Sequence, residues 1–232
     1  MEEPVRDRVA RVMERIAGAA ARSGRSPESI RLVAVSKTQP AERVAEAREA
    51  GLRIFGENYV QEAEGKVRAF PDAEWHLIGK LQANKAKKAV TLFGWVQTVD
   101  SIRLLAEISR RCVETGKTMP VLIEVNLAEE GSKAGIPPDG LPDIVSAAAD
   151  MPGVLVRGLM AIPPAAANPE ESRPHFARLR DMLGRCASIG GAAGGMTELS
   201  MGMSGDFEAA IEEGATMVRV GTAIFGSRPR RA

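Results

Sequence analysis

The chain has 232 residues, 44% hydrophobic, 26% charged and 4% aromatic, which suits one domain with a sizeable core and an ordinary soluble profile. A formal net charge of +1 excludes a general nucleic-acid or membrane-surface binder, which needs a large basic excess. Two distant cysteines, Cys112 and Cys186, and two histidines, His76 and His175, argue against a disulfide framework or a zinc site. The start, Met1-Glu2-Glu3-Pro4, lacks signal-peptide character, and no apolar run is long enough to span a bilayer. A reducing, cytoplasmic setting is the expectation.

In chain order, the first predicted element is a helix over Val5–Arg22, with Val5, Val9, Val12, Met13, Ile16 and Ala20 on one face. Strands and helices then alternate. Strand Arg31–Val35 precedes helix Pro40–Ala50, which Gly51 stops; strand Arg53–Phe55 precedes helix Val60–Arg68. Strand Trp75–Ile78 precedes helix Asn84–Leu92, and strand Trp95–Val99 precedes a helix capped by Ser101 and stopped at Gly116. Strand Pro120–Val125 leads to helix Leu141–Ala149, and strand Val154–Met160 to helix Glu170–Ser188. The strand end Leu199–Met201 leads to a helix capped by Asp206, and Met217–Val220 is the last strand. Gly190–Gly195 reads as a loop.

Eight short strands, each followed by a helix, predict an α/β fold: a single (β/α)8 TIM barrel over residues 1–232, with an extra N-terminal helix. A doubly wound sheet would offer a glycine-rich turn after the first strand. That turn is Ser36-Lys37-Thr38-Gln39-Pro40, without glycine.

In such a barrel the active face is the C-terminal end of the strands. The residues there are Lys37, Asn58, His76 with Gly79, Asp100, Asn126, Met160, Ser200 with Ser204, and Arg219 with Gly221 and Thr222. Lys37 has two readings, a solvated lysine or an amine able to attack an aldehyde. A strand, a Gly-Thr pair and a helix start favour phosphate at Gly221-Thr222, and Ser200–Ser204 falls in the other phosphate position usual for barrels. Amine and cradle together suggest pyridoxal phosphate held as a Schiff base. Arg219 is either a barrel-layer arginine paired with a carboxylate or a partner of the pyridine nitrogen. Asn58 is equally a helix cap or a ligand to the cofactor hydroxyl. His76, between Trp75 and Leu77, reads as a satisfied core histidine. The basic run Lys80–Lys88 lacks interleaved aromatics and reads as a solvated face. Lys133 guards the mouth or is merely exposed.

Several motifs in fixed order resemble the pyridoxal phosphate homeostasis protein family. They are Ala34-Val35-Ser36-Lys37-Thr38, Phe55-Gly56-Glu57-Asn58-Tyr59-Val60-Gln61-Glu62, Trp75-His76-Leu77-Ile78-Gly79-Lys80-Leu81-Gln82 with Asn84-Lys85, Leu199-Ser200-Met201-Gly202-Met203-Ser204 with Asp206, and Arg219-Val220-Gly221-Thr222-Ala223-Ile224-Phe225-Gly226. The resemblance runs almost end to end. It implies an alanine-racemase-type barrel with pyridoxal 5'-phosphate on Lys37. It also implies phosphate contacts from Ser200–Ser204 and Gly221-Thr222, Arg219 near the ring nitrogen, and Asn58 in the pocket. The implied role is to bind, buffer and hand over the cofactor, with apo enzymes as recipients, rather than to catalyse. The basic tail Arg228–Arg231 reads as local variation.

The alternative is a pyridoxal-phosphate-dependent racemase or decarboxylase on the same barrel. Racemisation needs two bases on opposite faces of the substrate carbon. The sequence holds one tyrosine, Tyr59, and stops after the eighth unit, so the expectation is a non-catalytic carrier. A cofactor-free Schiff-base aldolase using Lys37 is a third reading. A monomer without nucleic-acid or membrane partners is expected.

Overall fold

A computed structural model describes residues 3–127, 134–164, 168–186, 189 and 195–226. Lys133, Gly190–Gly194 and the tail Arg228–Arg231 lie outside the described residues.

The first helix is α1 (Val5–Arg22). Alternation then begins with β1 (Arg31–Val35), α2 (Ala41–Glu49), β2 (Ile54–Glu57), α3 (Val60–Ala69), β3 (Glu74–Leu77) and α4 (Ala86–Leu92). It continues through β4 (Trp95–Val99), α5 (Ile102–Thr115), β5 (Met119–Glu124), α6 (Leu141–Ala148), β6 (Val154–Met160) and α7 (Pro169–Cys186). It ends with β7 (Glu198–Ser200), α8 (Phe207–Glu212), β8 (Met217–Val220) and the one-turn α9 (Thr222–Phe225). The strands form a closed parallel barrel in sequence order, sealed where β8 pairs with β1, Val33 beside Arg219 and Ala34 beside Val220. The predicted (β/α)8 barrel with its added helix is the observed fold.

Local chemistry explains the boundaries. Ser101 Oγ accepts from Leu104 N–H at 3.2 Å and opens α5; Gly116, at φ 64°, closes it in the left-handed conformation that glycine adopts without a Cβ clash. Several boundaries differ from expectation by one or two residues. The second strand continues past Phe55 because Gly56 and Glu57 pair with His76 and Leu77 of β3. Asp206 stands at the N-cap of α8 but makes no capping bond; its carboxylate accepts from Met203 N–H at 2.7 Å, bracing the loop after β7 instead.

Two apolar layers result. The larger lies between barrel and helices, where α1 contributes Val5, Val9, Val12, Ile16, Ala19 and Ala20. This helix packs on α2, α8 and α9, across the seam where the ring of helices closes. Each large aliphatic side chain buried there contributes ~1.5–3 kcal/mol before conformational entropy is charged against it. The smaller layer, Leu122, Met160 and Met217 against Trp95, fills the barrel itself. Strand alternation sorts β1 between the two sides. Leu32 and Ala34 join the outer core, whereas Val35 lines the mouth. A period of two then turns Ser36 outward and Lys37 inward.

Candidate functional site

A cavity of about 330 Å³ opens at the C-terminal end of the barrel, at the lower end of the size range for small-molecule sites. Lys37, Asn58, Ser204, Arg219, Gly221 and Thr222 all line it, with Val35, Ile78, Ile162 and Met203 as apolar walls. The barrel thus brings together six of the seven residues that the resemblance assigns to the cofactor. Ser200 is the seventh, and it does not line the cavity. It is fully buried, and its hydroxyl accepts from Arg219 Nη1 and donates to Gln97 Oε1, both at 2.6 Å. Asp100, Asn126 and Met160 are not lining residues either.

The β7 and β8 side is built as a cradle. Gly202 takes φ 88°, and a Cβ there would lie 2.5 Å from the Ala210 Cβ, so the turn after β7 requires glycine. That turn delivers Ser204 to the start of α9. The N–H groups of Gly221 and Ala223 both donate to Ser204 Oγ, at 3.3 Å each. Two backbone donors converging on one oxygen, with a hydroxyl beside them, match the needs of a phosphate oxygen.

Arg219 projects from β8 into the barrel with 4% of its surface exposed. Nη1 donates to Ser200, and Nη2 donates to the Ala161 carbonyl at 2.9 Å. Neither partner is a carboxylate. Burial lowers its pKa to about 10; Glu124 and Asp206 oppose that shift through their fields. Glu124, at the end of β5, is itself buried, and desolvation raises its carboxyl, helped by Asp100.

Below Arg219 a polar chain runs down the barrel axis. Gln97 Nε2 donates to His76 Nδ1 at 2.7 Å, which leaves Nε2 of the ring to donate to Glu74 Oε1 at 2.7 Å. Glu74 also pairs with Arg31. His76 is the satisfied core histidine expected from its neighbours. Burial keeps it below the ordinary imidazole pKa, and its hydrogen bond holds Glu74 below the usual carboxylate range.

Asn58 follows β2 and is not the cap of α3, a position Tyr59 holds without a side-chain bond. It abuts Gly79, where a Cβ would stand 2.4 Å from the Asn58 carbonyl oxygen. Glycine at 79 is what lets Asn58 reach the cavity wall. In the basic run, Lys88 pairs with Glu64, while Lys80 and Lys85 line a neighbouring cavity with Tyr59.

Sequence reasoning gave no role to Gln97, Glu57, Glu62 or Lys66. The signal lies in two polar residues inside apolar strands: Gln97 in Trp95-Val96-Gln97 and Glu57 in Ile54-Phe55-Gly56-Glu57. Such residues at buried positions imply partners.

Residues 10–229 match the family model for the alanine racemase N-terminal domain. A solved alanine racemase from Corynebacterium glutamicum shares this fold at TM-score 0.70 and 17% identity, over 96% of this chain and 62% of its own. Fold and cavity therefore define a barrel of the alanine racemase N-terminal class. Within that class the chain belongs to the pyridoxal phosphate homeostasis protein family: it is 44% identical to the Escherichia coli (strain K12) protein of that name, over 95% of each chain. The structure of PipY from Synechococcus elongatus with PLP bound is 41% identical, with TM-score 0.81, over 93% of this chain and all of that one.

Proposed function

We propose that this protein binds pyridoxal 5'-phosphate, holds it as a Schiff base on Lys37 and serves intracellular vitamin B6 homeostasis without catalytic turnover. The observation that carries the proposal is the convergence of an amine, an anion cradle and a buried guanidinium on one cavity of suitable size. PipY supports the choice of ligand, and the shared family name supports the role.

On this reading Ser204, Gly221 and Thr222 hold the phosphate, and Asn58 contacts the ring substituents. Arg219 donates to the ring nitrogen, and a guanidinium that only donates leaves that nitrogen without a proton. Ser200 acts from beneath, fixing Arg219. The bound cofactor supplies an aldehyde that condenses with the Lys37 amine, releasing one water.

The lining chemistry supports the absence of turnover. Among the described residues at the cavity, Lys37 and Arg219 are the ionisable ones, so a second base is missing from that set. Tyr59 is 62% exposed and lines the neighbouring cavity. The chain acts as one domain and as a cytoplasmic monomer, delivering cofactor to apo enzymes. Among the described residues no helix is long and apolar enough to cross a membrane.

The test is an absorbance spectrum with added pyridoxal phosphate. A visible Schiff-base band that Lys37→Ala loses, with no racemisation of alanine above the free-cofactor rate, is the expected result. Turnover of D- or L-alanine well above that rate contradicts the carrier reading.

A further inference from the structure

Two carboxylates of the Phe55–Glu62 motif, Glu57 and Glu62, take no part in the cavity. Both meet Lys66, from the second turn of α3, in the wedge between that helix and the barrel. Lys66 Nζ donates to Glu57 Oε1 at 2.8 Å, to Glu62 Oε1 at 3.1 Å and to the Ser36 carbonyl at 2.7 Å. Ser36 Oγ donates to the same Glu57 oxygen at 2.6 Å. Lys66 and Glu57 are buried, with side chains 8% and 0% exposed. Glu62 completes the cluster by accepting the backbone N–H of Thr38.

The cluster therefore grips the backbone on both sides of Lys37: the carbonyl before it through Lys66, and the amide after it through Glu62. The turn needs that grip. Thr38 has φ 63°, and among the described residues no other non-glycine has positive φ. A β-branched residue in the left-handed region is strained and persists only when its surroundings over-determine it.

We propose that Lys66, acting through Glu62 and the Ser36 carbonyl, is a positioning residue that fixes the Lys37 turn so that its amine faces the cofactor cavity. This rests on the reading that Lys37 carries pyridoxal phosphate. It also assigns the carboxylates of the motif a task distinct from ligand contact.

The test uses Glu62, whose side chain is 30% exposed and whose loss the fold tolerates better than loss of Lys66. Two probes separate positioning from general damage. Pyridoxal 5'-phosphate can form the Schiff base; pyridoxine 5'-phosphate has an alcohol in place of the aldehyde and cannot. Glu62→Ala is expected to weaken pyridoxal phosphate binding by about tenfold, the scale of a small misplacement of a reacting group, and to leave pyridoxine phosphate affinity within about twofold. Glu62→Gln keeps an oxygen acceptor for Thr38 N–H and is expected to restore most of the loss. If Glu62→Ala leaves pyridoxal phosphate binding unchanged, or weakens both ligands equally, the proposal is overturned. A wild-type protein that forms no Schiff base overturns the Lys37 reading as well, so the two failures look different.

Discussion

Two polar networks converge on the barrel mouth, and they are built on opposite plans. The inner one runs along the barrel axis from Glu74 through His76, Gln97 and Ser200 to Arg219, each link a single directed hydrogen bond. The outer one is a knot of charges, Lys66 with Glu57 and Glu62, wedged between sheet and helix. The inner chain orients one side chain. Arg219 can only donate, so Ser200 must accept from it and pass its own proton to Gln97, and every donor below follows in turn. The outer knot fixes backbone. Its cation reaches the Ser36 carbonyl and its carboxylate the Thr38 amide, so its hold falls on the backbone either side of Lys37. A guanidinium that must point one way is served by directional bonds, whereas a lysine that must react is better served by a rigid turn.

The sharpest way to break this contrast is Lys66→Met. It strands the buried Glu57 carboxylate, whose Oε2 already has no hydrogen-bond partner among the described residues. A loss of about 3–5 kcal/mol in urea unfolding is expected, and Lys66→Met/Glu57→Gln should recover most of it by removing the uncompensated charge. Ser200→Ala should cost less, about 1–3 kcal/mol, because it leaves neutral Gln97 Oε1 and one Arg219 N–H unpaired. It should also weaken pyridoxine phosphate binding, since the ring partner loses its support; equal affinity for the two proteins would separate Ser200 from the site.

Acid should separate the networks by sign. Folded His76 titrates below the ordinary 6.5, so as pH falls past that value the unfolded state binds more protons and stability drops. Glu57 is raised by burial, so the folded state binds its proton first and acidification favours folding. Between pH 7 and 4.5, His76→Gln should therefore flatten the acid loss and Glu57→Gln should steepen it. Denaturant midpoints across that range measure both effects, and the same direction for both variants would refute the assignment.

The barrel was legible in the sequence because eight apolar runs recur with helical stretches between them, and each run needs only local periodicity to be seen. Lys37, Asn58, Ser204, Arg219 and Gly221-Thr222 were legible because strand ends of a barrel share one mouth. What lies beneath them was not. Ser200 meets Gln97 only because β7 and the distant β4 face one axis beside Arg219 of the neighbouring β8, so its hydroxyl is spent below the cavity. The Lys37 turn contains no glycine to announce a left-handed residue, and Thr38 adopts one under the hold of a helix that follows the next strand. Asp206 had the residue type of a cap, yet its carboxylate serves the loop that carries Ser204.

The most direct measurement is borohydride reduction of the protein loaded with pyridoxal phosphate, followed by peptide mapping. A single reduced adduct on Lys37 is the predicted result, and an adduct confined to other lysines would contradict the central claim.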